Sequence, residues 1–260
     1  MTTLDCLNKI LKLFNYEISP VSIITKLSQS KDKHHAMLQF REHILVQYEK
    51  WYDGIIGQLY EEPSPTEEQK VKVGTHRENA ILTWAKLHQE KKYIEDLQLD
   101  EYAFRGMKIL DVGSGPIPSA LAFKECNVFC LDPLVPEFYK LGYPFWHYDS
   151  RAKFIYGYSE SMPFPNNYFD GVISVNAIDH VDDFLKTSLE IKRVIKQNGK
   201  LRLHIHYHLK TKLEPIELSD PIVLSAFSWC EGFKKINASK KKRGTTLNND
   251  NELFAVWSNF

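Results

Sequence analysis

The sequence has few cysteines and no excess of either charge, and both shortages exclude classes of protein. The four cysteines, at positions 6, 126, 130 and 230, include no C-x-x-C pair. Because no signal peptide is recognised either, this cysteine usage favours a reduced protein of the cytoplasm. Lysine plus arginine and aspartate plus glutamate each number 33, which gives no electrostatic reason to expect a nucleic-acid partner.

Long apolar segments are also missing. No run approaches the roughly 20 apolar residues that a membrane helix needs, so no membrane span is predicted. The 260 residues, 43% hydrophobic and 25% charged, suit a globular domain with a sizeable elaboration. A small-molecule partner is expected, and the composition leaves the oligomeric state open.

The first hundred residues have the spacing of amphipathic helices. Apolar side chains recur every three or four positions over residues 4–14 and again over residues 37–55. Ser19 and Pro20 resemble a helix start, and Thr75 to Glu78 form a capping box that opens a helix reaching about Asp96. Residues 61–73, with two prolines and many charges, are expected to be a loop. We therefore predict a helical cap over residues 1–100 and a core over residues 101–260.

From Met107 onward, short apolar runs alternate with helical patterns, which indicates a parallel sheet with crossover helices. A helix is expected over residues 182–196 and another from Ser219. The predicted class is α/β, a Rossmann-like seven-stranded sheet whose last strands form an antiparallel hairpin across a loop with a basic run at residues 240–243. The strands are expected near residues 107–111, 127–132, 153–156, 170–175, 200–207, 233–238 and 252–259.

A glycine-containing turn follows the first of these strands directly. It reads Asp111-Val112-Gly113-Ser114-Gly115-Pro116, and a helix is expected after it. Glycines allow a sharp turn and close approach to a ligand, and the carboxyl edge of an open sheet is where α/β folds bind ligands. Asp132 ends the second strand, where a carboxylate can accept hydrogen bonds from both hydroxyls of a ribose.

At this point residues 105–260 resemble the class I S-adenosylmethionine (SAM)-dependent methyltransferases, in particular a type 11-like group that acts on small molecules. Four further segments match that family's motifs in order: residues 157–164, 169–176, 178–183 and 194–201. Tyr158 departs from the family's usual aspartate, and residues 116–118 (Pro-Ile-Pro) replace its usual third glycine or neighbour. The resemblance implies SAM as cofactor, bound by Asp111, Gly113, Ser114, Gly115, Asp132, Pro133, Ser159, Glu160 and Asn176.

A nicotinamide oxidoreductase on a Rossmann sheet is the main alternative for this turn. Such enzymes use G-x-G-x-x-G, whereas here Pro118 occupies the place of the third glycine. Asp111 would repel a pyrophosphate but would attract the sulfonium or amino group of SAM. The turn therefore favours SAM.

Histidines are the candidate catalytic groups, since a hydroxyl acceptor must lose its proton. His180 follows the fourth core strand, and the fifth contains His204, His206 and His208 at alternate positions, on one side of the strand. We expect His180, His206 or His208 to act as base and His204 to be structural. A metal held by these histidines with Glu214 or Glu217 is conceivable, but no metal is predicted, because nothing in the sequence fixes a third or fourth ligand.

The acceptor is expected to contact the helical cap, with Trp51, Tyr52 and Arg77 as its predicted ligands. The family resemblance and the histidine- and arginine-rich site favour O-methylation of a sugar, a nucleotide-sugar or a phosphorylated intermediate of bacterial surface polysaccharide synthesis. N-methylation of a small molecule and a SAM-binding but non-catalytic partner subunit remain open alternatives.

Overall fold

The computed structural model describes residues 20–210, 214–239 and 253–260. The predicted helix over residues 4–14, Ser19 and the basic run at residues 240–243 lie outside these ranges. Of the helices in the described ranges, none combines the length and the apolar composition that crossing a bilayer requires.

Seven strands form one mixed sheet in the order β5-β4-β3-β6-β7-β9-β8. β9 is antiparallel to both of its neighbours, and the other strand pairs are parallel. This confirms the predicted fold class, including the antiparallel hairpin at the carboxyl terminus. The strands are β3 (Lys108–Val112), β4 (Asn127–Asp132), β5 (Ala152–Tyr156), β6 (Phe169–Val175), β7 (Ile195–Tyr207), β8 (Lys234–Ser239) and β9 (Leu253–Ser258).

Both faces of the central strands are buried, which explains why their sequences are continuously apolar. Along β3, Leu110 and Val112 join one apolar cluster, and Ile109, which precedes them, joins the cluster on the opposite face. On the first face α5 (Phe184–Val194) and α6 (Asp220–Ala226) cover the sheet. The helix predicted over residues 182–196 is thus shorter, because Asp183 caps its start and Ile195 already pairs with Phe169.

The helix expected after the glycine turn is absent. In its place lies a single 3-10 turn, Ser119–Ala122, because Pro116 and Pro118 disfavour the helical conformation of the residues before them, Gly115 and Ile117. The sheet face that this helix would cover is packed instead by α3 (Glu90–Leu97), whose Leu97 is fully buried beside Ile109.

The N-terminal region consists of helices and one small hairpin. α1 (Pro20–Tyr52) is followed by β1 (Gln58–Leu59), β2 (Glu62–Pro63) and α2 (His76–Trp84). A π-helical segment, Ala85–Gln89, joins α2 to α3, so the helix predicted from the capping box is continuous to Leu97. The hairpin was not expected from the sequence; the indole N–H of Trp51 stabilises it by donating to the carbonyls of Glu62 and Pro63.

The remaining described helix, α4 (Val135–Lys140), follows β4 at the edge of the sheet where the parallel strands end. Its Phe138 packs with Ile44 and Tyr48 of α1 in a third apolar cluster. α1 is thereby held against the carboxyl edge of the sheet. The boundary at residue 100 between cap and core stays a prediction.

The capping box at Thr75 gives a prediction about stability. The hydroxyl of Thr75 accepts from the backbone N–H of Glu78, and the Glu78 carboxylate accepts from the N–H of Thr75 at 2.7 Å. We expect Thr75→Ala to lower the free energy of unfolding by about 1 kcal/mol, because it removes one acceptor from the exposed first turn. Urea denaturation followed by circular dichroism measures this. Thr75→Ser keeps the hydroxyl and should unfold like the wild type; equal midpoints for all three proteins would contradict the prediction.

Candidate functional site

A cavity of about 540 Å³ lies where β3, β4, β5 and β6 end, and α1 closes it from above. The sheet contributes the loops after these four strands, and α1 contributes five side chains. The lining includes Lys33, His34, Met37, Phe40, Arg41, Gly113, Leu131, Asp132, Pro133, Leu134, Phe138, Tyr158, Ser159, Glu160, Asn176, Ala177, His180, Asp182 and Glu214.

The glycine turn forms the floor of this cavity. Gly113 and Gly115 adopt φ values of 73° and 64°, which side chains other than glycine rarely adopt. A Cβ on Gly113 would lie 2.4 Å from the Cβ of Ala177, and one on Gly115 would lie 3.2 Å from the guanidinium of Arg41. The turn is therefore enclosed on both sides and requires glycine for two independent reasons.

Asp132 fixes the second loop against the first. Its carboxylate accepts hydrogen bonds from the backbone N–H of Gly115 at 3.0 Å and from that of Leu134 at 2.8 Å. Burial raises the pKa of Asp132, and the two backbone hydrogen bonds counteract part of this effect. Since each carboxylate oxygen has a further lone pair and the residue lines the cavity, Asp132 can also accept from a ligand.

Asp111 lies beneath the turn and does not line the cavity. It is fully buried, and the hydroxyl of Tyr93 donates to its two carboxylate oxygens, each at 3.0 Å. Burial raises the pKa of Asp111 to about 7, although the hydrogen bond from Tyr93 acts in the opposite direction. Asp111 therefore joins the glycine turn to α3.

α1 brings two cations to the cavity that the sequence did not single out. The ammonium of Lys33 donates to the carbonyl of His180 at 2.8 Å and to Asp182 at 2.6 Å. The Nε of Arg41 is buried and has no hydrogen-bond partner among the described residues. Arg41 interrupts the apolar stripe formed by Met37, Ile44 and Tyr48, and that interruption was the available sequence signal.

In the loop after β5, Ser159 and Glu160 form hydrogen bonds within the protein although both line the cavity. The carboxylate of Glu160 accepts from the backbone N–H groups of Asp182 and Asp183, at 2.8 and 3.3 Å. Ser159 donates to the same carboxylate at 3.1 Å. Asn176, with φ of 51°, has a buried side-chain oxygen without a hydrogen-bond partner in the described part of the chain. Glu160 thus orders the loops, whereas Asn176 keeps an acceptor for a ligand.

Next to the cavity, histidines and carboxylates from three segments converge. Asp179 and His180 come from the loop after β6, His206 comes from β7, and His208 and Glu214 come from the segment that follows β7. Of these, His180 and Glu214 line the cavity; His206 and His208 do not, although both were predicted to face the substrate. The ring of His206 stacks on Phe254 of β9 at 4.5 Å between centroids, which holds it beside the sheet.

The groups of this cluster are at ion-pair distances. The Nε2 of His208 lies 3.2 Å from Asp179, and the Nδ1 of His206 lies 3.5 Å from Glu214. Burial lowers the pKa of His208, but the hydrogen bonds to Asp179 and to the carbonyl of Leu209, together with the charges of Glu214 and Asp179, outweigh burial and raise that pKa to about 9. Burial would raise the pKa of Asp179, but the nearby His180 and the bond to His208 lower it.

Comparison with known proteins identifies the scaffold. Residues 110–203 match a family described as "Methyltransferase domain". An uncharacterized methyltransferase of Bacillus subtilis, YcgJ, is 32% identical over 103 residues, and the sterol 24-C-methyltransferase ERG6B of Gibberella zeae is 33% identical over 102 residues. These matches cover 38% and 36% of this chain, and the chain spans only 41% and 26% of the two relatives.

The solved structure of YcgJ superposes with a TM-score of 0.51 at 18% identity and covers 66% of this chain and 97% of that one. Such a likeness establishes the fold. Residues 110–203 therefore form a methyltransferase domain of the class I, SAM-dependent type. The prediction from the five sequence motifs is thereby confirmed.

SAM is the cofactor of class I methyltransferases, and the cavity of this methyltransferase domain fits the parts of that molecule. Asp132 offers a carboxylate for ribose hydroxyls, and Arg41 offers a guanidinium for a carboxylate. Gly113 lines the cavity without a side chain, so a ligand can approach the backbone of the turn closely. Leu131, Leu134 and Tyr158 add a largely apolar wall, which suits an adenine ring.

The residues predicted to bind SAM divide into two groups. Six of them line the cavity: Gly113, Asp132, Pro133, Ser159, Glu160 and Asn176. The other three, Asp111, Ser114 and Gly115, do not appear in its lining and instead build the turn beneath it. Sequence spacing could not separate the two groups, because all of them belong to the same strand-end loops.

The three predicted acceptor ligands of the methyltransferase lie outside its cavity. Trp51 is fully buried with its N–H bonded to the β1–β2 hairpin, and the hydroxyl of Tyr52 donates to the carbonyl of Val71. Arg77 forms a two-pronged ion pair with Glu49 between α2 and α1. All three side chains thus contact the cap itself rather than the cavity, and their role in acceptor binding stays a prediction.

The buried carboxyl of Asp111 predicts a pH-dependent stability. In the unfolded chain this group ionises near pH 4, whereas in the fold its pKa is about 7. Between these values the folded state retains a proton that the unfolded state has released, so stability falls as the pH rises and is level again above pH 7. Asp111→Asn mimics the protonated form and escapes this loss.

We therefore expect the stability of Asp111→Asn relative to the wild type to increase from pH 4 to pH 7 and then to stay constant. Urea denaturation of both ligand-free proteins at a series of pH values measures it. A difference that does not change with pH, or that changes in the opposite direction, would show that Asp111 is ionised in the fold.

Proposed function

We propose that the protein transfers the methyl group of SAM to a hydroxyl oxygen of a small polar metabolite. The observation that carries the proposal is His180, a histidine with two carboxylate neighbours in the wall of the cavity whose floor is the glycine turn. Its Nε2 lies 3.6 Å from Asp179 and 3.9 Å from Glu214. The resemblance to small-molecule methyltransferases and the polar lining favour a sugar, a nucleotide-sugar or a phosphorylated intermediate of surface polysaccharide synthesis.

Bound SAM supplies a methyl group on a cationic sulfur, which becomes a neutral thioether when the acceptor oxygen attacks the methyl carbon. Asp132 is proposed to accept from the ribose, and Asn176 to accept from a further donor of the ligand. His180 is proposed to take the hydroxyl proton of the acceptor. Asp179 and Glu214 then stabilise the imidazolium, as carboxylates do beside a catalytic histidine.

The cap, proposed to comprise residues 1–100, has the task of closing the cavity. α1 covers the site and is held to the loop after β6 by Lys33. Excluding water strengthens the polar contacts inside the cavity and helps to align the acceptor with the methyl group. A cytoplasmic location agrees with the supply of SAM and with the expectation from the cysteine usage.

Arg41 gives the first test of this proposal. We expect it to bind the carboxylate of SAM, because its buried Nε lacks a partner among the described residues and its guanidinium adjoins Gly115. Loss of such a charged hydrogen bond costs about 1.5–3 kcal/mol, so Arg41→Gln should bind SAM roughly 10–100-fold more weakly. Methylthioadenosine, which lacks the carboxylate, should bind both proteins equally.

Titration calorimetry measures the affinity of each protein for SAM and for methylthioadenosine. Arg77→Gln is the matched control, since it makes the same change on the cap outside the cavity, and should bind SAM like the wild type. Absence of SAM binding by the folded wild type would overturn the proposed function. Equal weakening of SAM and methylthioadenosine in Arg41→Gln would exclude the assigned contact.

His180 gives the second test, in turnover with a panel of sugars, nucleotide-sugars and sugar phosphates. Since a general base contributes about 10²–10⁴-fold, His180→Ala should lower kcat by that factor and leave SAM binding intact. His76→Ala, which removes a histidine outside the cavity, should keep full turnover. Transfer of a radiolabelled methyl group is the readout. The panel also contains amines, which test N-methylation, and a sterol, because one relative is a sterol C-methyltransferase. Full turnover by His180→Ala would remove His180 as base.

A further inference from the structure

We propose that Asp179, His206, His208 and Glu214 form a binding site for one divalent transition-metal ion of the zinc class. In the sequence, His206 and His208 could bind a metal together with Glu214 or Glu217, but nothing there fixes a third or fourth ligand. The fold adds Asp179, which lies 27 or more positions earlier in the chain. Each of the four residues presents one ligand atom, and these atoms all lie within 4.8 Å of one another.

The distances suit coordination by one ion. Zinc bonds of about 2.0–2.2 Å to nitrogen and carboxylate oxygen place tetrahedral ligand atoms about 3.3–3.6 Å apart. The two closest pairs in the cluster are separated by 3.2 Å (His208 to Asp179) and 3.5 Å (His206 to Glu214). The ligand atoms of the wider pairs are at most 4.8 Å apart. Side-chain rotations that bring these atoms closer by about one bond length, roughly 1.5 Å, would give the same spacing.

The surroundings orient the ligands as metal sites require. The Nδ1 of His208 lies 2.7 Å from the carbonyl of Leu209, and a hydrogen bond there directs Nε2 toward Asp179. Histidine ligands of metals commonly donate their second nitrogen to a carbonyl in this way. His206 is held by its stack on Phe254. Asp179 is fully buried, and its Oδ1 has no hydrogen-bond partner in the described ranges.

The donor set selects the class of ion. Two imidazoles with two carboxylates favour zinc, iron(II), cobalt(II) or manganese(II), whereas magnesium and calcium prefer oxygen ligands alone. Histidine binds a metal through its neutral imidazole, so the ligand set would carry the two negative charges of Asp179 and Glu214, which a divalent cation offsets. The competing arrangement without a metal is a protonated His208 between the two carboxylates.

The location gives the ion a role, which rests on the proposed function. Glu214 lines the cavity with His180, so an ion bound at Glu214 would lie at the cavity wall. An acceptor hydroxyl on a fifth coordination position would be oriented and made more acidic, and His180 would receive its proton. The metal would then position the acceptor rather than the cofactor.

Cobalt(II) titration of the chelator-treated full-length protein tests the site, because cobalt bound by nitrogen and oxygen in a four- or five-coordinate site has intense visible absorption. We expect one cobalt per chain, displaced by zinc and not by magnesium. Asp179→Asn and Glu214→Gln should each weaken binding by at least the ~10–100-fold that loss of an outer-shell partner costs. Glu217→Gln, the matched change at a nearby exposed glutamate, should bind like the wild type.

Thermal denaturation with and without zinc provides a second measurement that does not depend on absorption. Zinc should raise the Tm of the wild type and of Glu217→Gln, and should leave that of Glu214→Gln unchanged. No cobalt bands in the wild type, or equal binding by all variants, would overturn the site. The metal site and the proposed function can fail separately. Metal binding without methyl transfer would contradict the proposed function. Full turnover of the metal-free protein, unchanged by added zinc, would contradict only the role of the ion.

Discussion

The parallel pairing of β3 with β4 and β6 is the constraint on which the rest of the molecule depends. Parallel strands end at the same edge of a sheet, so the loops after them meet there regardless of their separation in sequence. The hydrogen bond from Gly115 to Asp132 joins the first two of these loops. The loop after β6 brings Ala177 against Gly113 and carries Asp179 and His180. Cavity and histidine cluster are therefore two consequences of one topology.

The N-terminal helices are fixed to this edge by polar as well as apolar contacts. Tyr93 of α3 donates to Asp111 beneath the glycine turn, and Lys33 of α1 donates to the loop after β6. Buried charged groups are costly unless they are paired. In each of these contacts a side chain of the N-terminal helices donates a hydrogen bond to an oxygen acceptor of the core. Packing of α1 against α4 then completes the closure of the cavity.

Much of the fold could be predicted, because its signals are local. The short apolar runs of the strands, the Thr75 capping box and the glycine turn each depend on residues within a few positions of one another. The prediction of a helix after the turn was wrong because Pro116 and Pro118 disfavour the helical conformation of the residues before them. The placement of Trp51, Tyr52 and Arg77 away from the cavity could not be predicted for another reason. Amphipathic spacing shows that a side chain faces a neighbour but not whether that neighbour is a cavity or another helix.

The sequence by itself determined the α/β class, the strand positions, the cofactor turn and Asp132, since strand and turn chemistry is encoded in short segments. Tertiary structure alone decided that Arg41 reaches the turn, that His180 rather than His206 lines the cavity, and that Asp179 meets His208. These facts depend on how α1 crosses the sheet and on the register of β6 against β7. Asp111, Gly113 and Gly115 mark the glycine turn in the sequence, but the cavity above it is closed by α1, and only packing brings α1 to the loop after β6, more than a hundred positions further along the chain.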